Sequence, residues 1–173
     1  MNYKYILALD PSGNFHEGKG TTGWCVFNAL DDKVIIAGHI CASSYETKEM
    51  YWNAHLQLLD KYIDRYNDEC IVVMEEYLLY ANRAQDQINS KFETPKVIGI
   101  MQHHLFTRNI PYVMQLARTV KDRWSNEILH HKGYIKIKGK HYIVPETEDV
   151  IDRHCIDSIR HAVHFATFKN KEE

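Results

Sequence analysis

Two acids close two apolar runs in this chain. Asp10 ends Tyr3-Lys-Tyr-Ile-Leu-Ala-Leu, and Glu75 ends Cys70-Ile-Val-Val-Met74. A carboxylate at the end of a buried strand is costly unless its charge is compensated. A single such acid is more often a solvated turn residue. The pair says more, because parallel neighbouring strands bring both ends to one edge of a sheet, where open α/β sheets place their sites. His154 and Asp157 stand three residues apart in a stretch with helical spacing, so they share a helix face. If that helix crosses near the strand ends, its first turns complete a four-residue cluster: Asp10, Glu75, His154 and Asp157. Carboxylate oxygens with one imidazole suit magnesium or manganese, whereas zinc would want more nitrogen or sulfur. Glu76 is the rival of Glu75. Strand alternation sends the two to opposite faces, so only one can join Asp10. Asp152 is an outer candidate, with the more ordinary task of favouring a helix N-terminus.

These residues need a particular set of elements to position them. Residues 4–10 read as a buried strand. Thr22–Phe27 and Lys33–Ile40, joined by turn residues, predict a hairpin. Apolar residues at helical spacing predict a helix from about Thr47 to Tyr66, and a strand then runs into Glu75. Residues 77–93 read as loop with some helix. Thr94 as N-cap and Pro95 at the first helical position open a second helix. Tyr112–Leu116 is a short strand, residues 118–131 are helical in part, and residues 133–144 form a hairpin. A last helix is expected from about Asp149 to Phe168. Its apolar stripe (Cys155, Ile159, Ala162, Val163, Ala166) faces the sheet, with His154, Asp157 and His161 directed away from it. Residues 169–173 read as a loose tail. This order predicts an α/β fold with a mixed sheet, and the absence of a linker predicts one domain over residues 1–173.

The net charge of −2 does not mark a nucleic-acid binder, so what matters is whether basic residues cluster. They do at Lys132, Lys136, Lys138, Lys140 and His141. Lys136, Lys138 and Lys140 share one side of the hairpin, as a row along a DNA backbone would or as a guarded edge strand would. Four scattered cysteines without a C-x-x-C pair read as reduced thiols, several of them buried. No stretch reaches the length of a membrane span, and no signal-peptide pattern opens the chain, so the expected location is the cytoplasm.

Four segments carry a family resemblance. Leu9-Asp10-Pro-Ser-Gly13 with Thr22-Gly23-Trp24 is similar to the first motif of RuvC-like Holliday junction resolvases, in the ribonuclease H-like superfamily. Val73-Met-Glu75-Glu76 resembles their second motif, Arg118-Thr-Val-Lys121 their basic segment after the fifth strand, and Arg153–Ala162 their closing helix. The His-x-x-Asp form of that helix is similar to phage-encoded members. The motifs occur in family order and span most of the chain. The segment Asn14–Lys19 and the basic hairpin depart from the cellular pattern. So does the lack of an aromatic wedge after the glutamate, where Leu78 falls and Tyr77 or Tyr80 could substitute.

The resemblance implies a ribonuclease H-like fold with a five-stranded mixed sheet, and a crossover junction endodeoxyribonuclease acting as a homodimer on branched DNA. It further implies phosphodiester hydrolysis with two divalent cations, Mg2+ or Mn2+, about 4 Å apart. In that scheme Asp10 bridges both ions, Glu75 and Asp157 each serve one, and His154 ligates or takes a proton from the attacking water. Arg118 and Lys121 neutralise phosphates. Other readings stay open: a nuclease for flaps, forks or RNA–DNA hybrids, and a noncatalytic DNA-binding module of the same fold. A sugar-kinase-like reading would need a second glycine-rich phosphate motif and a longer chain, and neither is present.

Overall fold

The computed structural model describes residues 2–78 and 91–170. Its centre is β1 (Tyr5–Asp10), whose Ile6, Leu7, Ala8 and Leu9 are all fully buried. A strand apolar on both sides must be covered on both sides. β2 (Thr21–Asn28) and β3 (Lys33–Cys41) add antiparallel strands on one flank. β4 (Cys70–Glu76) and β5 (Tyr112–Leu116) add parallel strands on the other. The five-stranded order is β3-β2-β1-β4-β5.

Between the strands lie α1 (Lys48–Tyr66) and α2 (Glu93–Thr107). α1 opens where the sequence predicts it: the Thr47 hydroxyl accepts the Met50 N–H at 3.2 Å. Such a cap stabilises a helix by about 1 kcal/mol. After β5 come two short helices, α3 (Ala117–Lys121) and α4 (Asn126–His131). A small sheet follows, made of β6 (Lys136–Lys138), β7 (His141–Ile143) and β8 (Val150–Ile151). The chain then enters α5 (Arg153–Phe168). None of the helices among the described residues is long and apolar enough to cross a membrane.

The sheet divides the core. Leu7, Leu9, Val72 and Met74 pack toward α1 and α2 with Leu59, Ile63, Met101 and Leu105. Ile6, Ala8, Ile71 and Val73 pack toward α5 with Cys155, Ile159, Ala162 and Val163. The apolar stripe read from the sequence is therefore the face α5 lays on the sheet.

Four expectations require correction. Thr94 does not cap α2. That helix begins at Glu93 behind Phe92, and the Thr94 hydroxyl instead accepts the Gly13 N–H at 3.0 Å. The loop after β1 lies so close that a Cβ on Gly13 would stand 2.1 Å from the Glu93 backbone. The last helix starts at Arg153 rather than near 149, because Val150 and Ile151 pair with β7 and Asp152 caps the helix. Asn170 is not loose tail: its side chain is buried, accepting the Tyr3 N–H at 2.8 Å and donating to the Tyr3 carbonyl at 2.7 Å. His161 does not point away from the sheet; it is fully buried against β4 and β5. Most of the segment read as loop with some helix, residues 79–90, including Tyr80, lies outside the described residues.

Candidate metal centre

Register brings the strand-end acids together. In the parallel β1–β4 pair Leu9 lies beside Met74, so Asp10 and Glu75 occupy neighbouring positions on the α5 face. Glu76 belongs to the opposite face by the same alternation and is exposed. On its other side Asp10 pairs with Gly23 of β2. A Cβ there would stand 2.1 Å from the His154 backbone. Gly23 thus lets the first turn of α5 settle onto the sheet, and His154 reaches Asp10 with Nδ1 3.0 Å from Oδ2. The Asp152 carboxylate accepts the Cys155 N–H at 2.9 Å and fixes where that turn begins.

Asp157 lies one turn further along, its carboxylate mostly covered. Lys121, at the end of α3, inserts its ammonium between two acids, 3.0 Å from Asp157 Oδ2 and 3.4 Å from Glu75 Oε2. Arg160 also donates to Asp157, while its remaining nitrogens bind the Trp124 carbonyl and the Asn126 side chain. The four candidate ligands therefore sit as two linked groups, Asp10 with His154, and Glu75 with Asp157 through Lys121. Arg118, paired in the sequence with Lys121 as a phosphate neutraliser, is outside this cluster: it is exposed and lies 3.8 Å from Asp122.

The electrostatics follow from burial and charge. Burial pushes the Asp10 carboxyl above its ordinary range, the His154 hydrogen bond opposes this, and the Glu75 and Asp157 charges add to it. For Glu75 burial also pushes upward, but His161 and Lys121 outweigh it and hold the carboxyl below its ordinary range. The bond to Asp10 raises His154, with burial opposing. Burial alone would lower Lys121, yet Glu75, Asp157 and Asp10 together raise it. Three carboxylates share a partly covered space, and a lysine stands as the cation among them. Such an oxygen-rich donor set with one imidazole fits a hard divalent cation.

Another trio, His39, Asp152 and Cys155, places one donor atom from each within 4.8 Å of the others. These donors are already engaged. Asp152 caps α5, and the Cys155 thiol, pushed well up mainly by burial, lies 3.1 Å from the Gly38 carbonyl. The cysteines at 25, 41, 70 and 155 are free, three of them buried.

The basic hairpin exists as β6 and β7. Lys136, Lys138 and Lys140 are all exposed on it, although Lys138 is paired with Glu148 at 2.9 Å. Its base is anchored by the Tyr134 hydroxyl on Asp32.

Sequence reasoning missed three contributors to the site: Gln115, Arg160 and the inward role of His161. Arg160 was detectable as a partner three residues from Asp157 on a helix. Gln115 emerges only from the β4–β5 register, which sets it opposite Glu75.

No protein-family model matches the chain, and no curated protein matches it. Among solved structures, one described as T. thermophilus RuvC in complex with Holliday junction substrate is similar to it. That match has a TM-score of 0.68 at 14% identity, covering 96% of this chain and 94% of the other. That likeness spans nearly the whole of both chains and, with the five-stranded mixed sheet, gives this protein a RuvC-like, ribonuclease H-like α/β fold.

Proposed function

We propose that this protein is a divalent-cation-dependent endonuclease that cuts branched DNA, with four-way junctions as its preferred substrate. The observation that carries the reading is the meeting of Asp10, Glu75, His154 and Asp157 at the carboxyl ends of two parallel strands in a RuvC-like fold. The similar solved structure holds a Holliday junction substrate, which supports the choice among branched forms. A four-way junction offers two matched strands, so a homodimer of one 173-residue domain is the fitting assembly.

Asp10, Glu75, Asp157 and His154 would hold the cations. Bound Mg2+ or Mn2+ supplies Lewis-acid stabilisation of charge on the phosphate and lowers the pKa of water. The chain's own groups do the rest. Asp10 orients the His154 ring through Nδ1 and keeps its proton affinity high. Its Nε2 accepts the Arg153 Nε–H at 3.3 Å, and release of that bond would free this one nitrogen either to ligate a cation or to take a proton from water. Lys121 bridges Glu75 and Asp157, helps to hold the Glu75 carboxyl below its ordinary range, and its ammonium can turn to a phosphate oxygen. Lys136 and Lys140 extend positive charge along the backbone, with Lys138 partly offset by Glu148.

The test is a matched panel of four-way junction, fork, flap, duplex and RNA–DNA hybrid in magnesium and in manganese. Wild-type protein is expected to nick the junction fastest. Asp10→Asn is expected to abolish cleavage while retaining junction binding. Undiminished cutting by pure Asp10→Asn protein would remove the mechanism, and equal cutting of plain duplex would remove the substrate assignment.

A further inference from the structure

His161 has no part in the scheme above, yet it is fully buried and touches the candidate centre. Its Nε2 lies 3.1 Å from Glu75 Oε2, and its Nδ1 lies 2.9 Å from Gln115 Oε1. Both neighbours on this reading are oxygens, and a ring carrying one N–H can donate to only one of them. At the same time Gln115 Nε2 is buried with no partner among the described residues. A stranded amide N–H is among the rarer and costlier faults of a folded interior.

One change resolves both problems. Turning the Gln115 amide over exchanges its oxygen and nitrogen, which are distinguished by their hydrogen bonds. Nε2–H then donates to His161 Nδ1, and His161 Nε2–H donates to Glu75. The backbone supports this chain of contacts. Glu75 and Gln115 are direct partners across β4 and β5, so their side chains leave the sheet on one face, under α5. His161 lies four residues, one turn, beyond Asp157 on that helix.

We infer that Gln115 and His161 form a relay of positioning residues that fixes the Glu75 carboxylate for cation binding, an inference that rests on the metal-centre reading proposed above. Glu75 Oε2 receives both His161 Nε2–H and the Lys121 ammonium. Oε1 is thereby directed as the ligand atom. Gln115 sets the tautomer, His161 transmits it, and neither touches the cation. Outer partners of this kind orient ligands, and losing one typically weakens metal binding 10–100-fold, which sets the order of magnitude expected here, about tenfold or more.

The experiment is Mn2+ binding to the full chain without DNA, followed by the electron paramagnetic signal of the free ion. Wild type is compared with Asp10→Asn, His161→Leu and His161→Gln. Nitrogen-15 spectra of the metal-free histidine rings report the tautomer. His161→Leu is expected to weaken Mn2+ binding about 10–100-fold. His161→Gln, whose amide N–H can still reach Glu75, should restore most of the loss, and a purely space-filling role would favour Leu instead. The wild-type ring should carry its hydrogen on Nε2. Hydrogen on Nδ1, or Mn2+ binding by both variants at wild-type strength, would overturn the relay while leaving the metal centre standing. Wild-type protein that binds no Mn2+, or Asp10→Asn that binds it undiminished, would overturn the metal centre and the relay with it.

Discussion

One edge of the five-stranded sheet carries two polar clusters, one on each face. Under α5 the cluster is ionic: Asp10, Glu75 and Asp157 against Lys121 and Arg160, with His154 and His161 beside them. Under α1 the cluster is neutral: the Thr22 hydroxyl, 2.8 Å from His55 Nε2, accepts the Ser12 N–H at 2.9 Å, and the Tyr51 hydroxyl donates to the Ser12 carbonyl. His55 Nδ1 donates to the Tyr51 carbonyl at 2.8 Å. Each cluster contains one fully buried histidine, His161 in the first and His55 in the second. The neutral network closes on itself within the chain, and a closed buried network rigidifies what it holds. What it holds is the loop that leaves Asp10. The ionic cluster does not close in this way: burial and the neighbouring acids push Asp10 up, while histidine and lysine hydrogens hold Glu75 down. One face builds the frame and the other is left with a demand for positive charge.

The largest test of that division exchanges the two adjacent glutamates. Glu75→Gln is expected to lower junction cleavage by roughly a hundredfold or more, since even outer partners of metal ligands cost 10–100-fold. Glu76→Gln, on the other face and exposed, should leave the rate near wild type. Single-turnover nicking in magnesium gives the ranking, and the reverse order would move the chemistry to the α1 face. His55 provides the matching test of the frame. His55→Leu strands the Thr22 hydroxyl in the core and should cost about 1–3 kcal/mol, the penalty for leaving a buried polar group unsatisfied. Urea unfolding measures it. A loss under about 0.5 kcal/mol, ordinary for a surface site, would mean the network holds nothing.

The two clusters were not equally legible in the sequence. Asp10 and Glu75 could be read because each ends an apolar run, and His154 and Asp157 because their spacing fits a helix face. Those signals are local, as are the strands and caps that carry them. The α1 cluster has no such signature. Thr22, Tyr51 and His55 are ordinary residues of a strand and a helix until the sheet brings α1 under β2. Gln115 was hidden for the same reason, because its partnership with Glu75 depends on a strand pairing across 40 residues. Thr94 failed in a more instructive way. Its type and its place before Pro95 suit a cap, but the helix starts one residue earlier, at Glu93, and its hydroxyl accepts the Gly13 N–H instead. The inward turn of His161 was missed because polar residues flanking an apolar stripe look alike whether they meet solvent or a sheet edge.

The smallest effect is a pH dependence that separates the two faces. Burial, opposed only by the bond to the Tyr51 carbonyl, lowers the His55 pKa from 6.5 to about 4. A histidine lowered in the fold is protonated more readily in the unfolded chain. Between these two pKa values the unfolded state holds more protons, so stability rises with pH there and falls on acidification. From about pH 7 to about pH 5.5 this one group should remove about 1 kcal/mol of stability. The comparison is with His55→Gln, which keeps a polar side chain but has nothing to titrate. Groups of the α5 face, including His154 with its raised pKa, titrate equally in both proteins and cancel from the difference. Wild type should therefore lose more stability than His55→Gln over that interval, by about the amount given. Parallel pH profiles in urea unfolding would mean that His55 is not held neutral, and the contrast between a closed neutral face and an open charged one would fail at its clearest member.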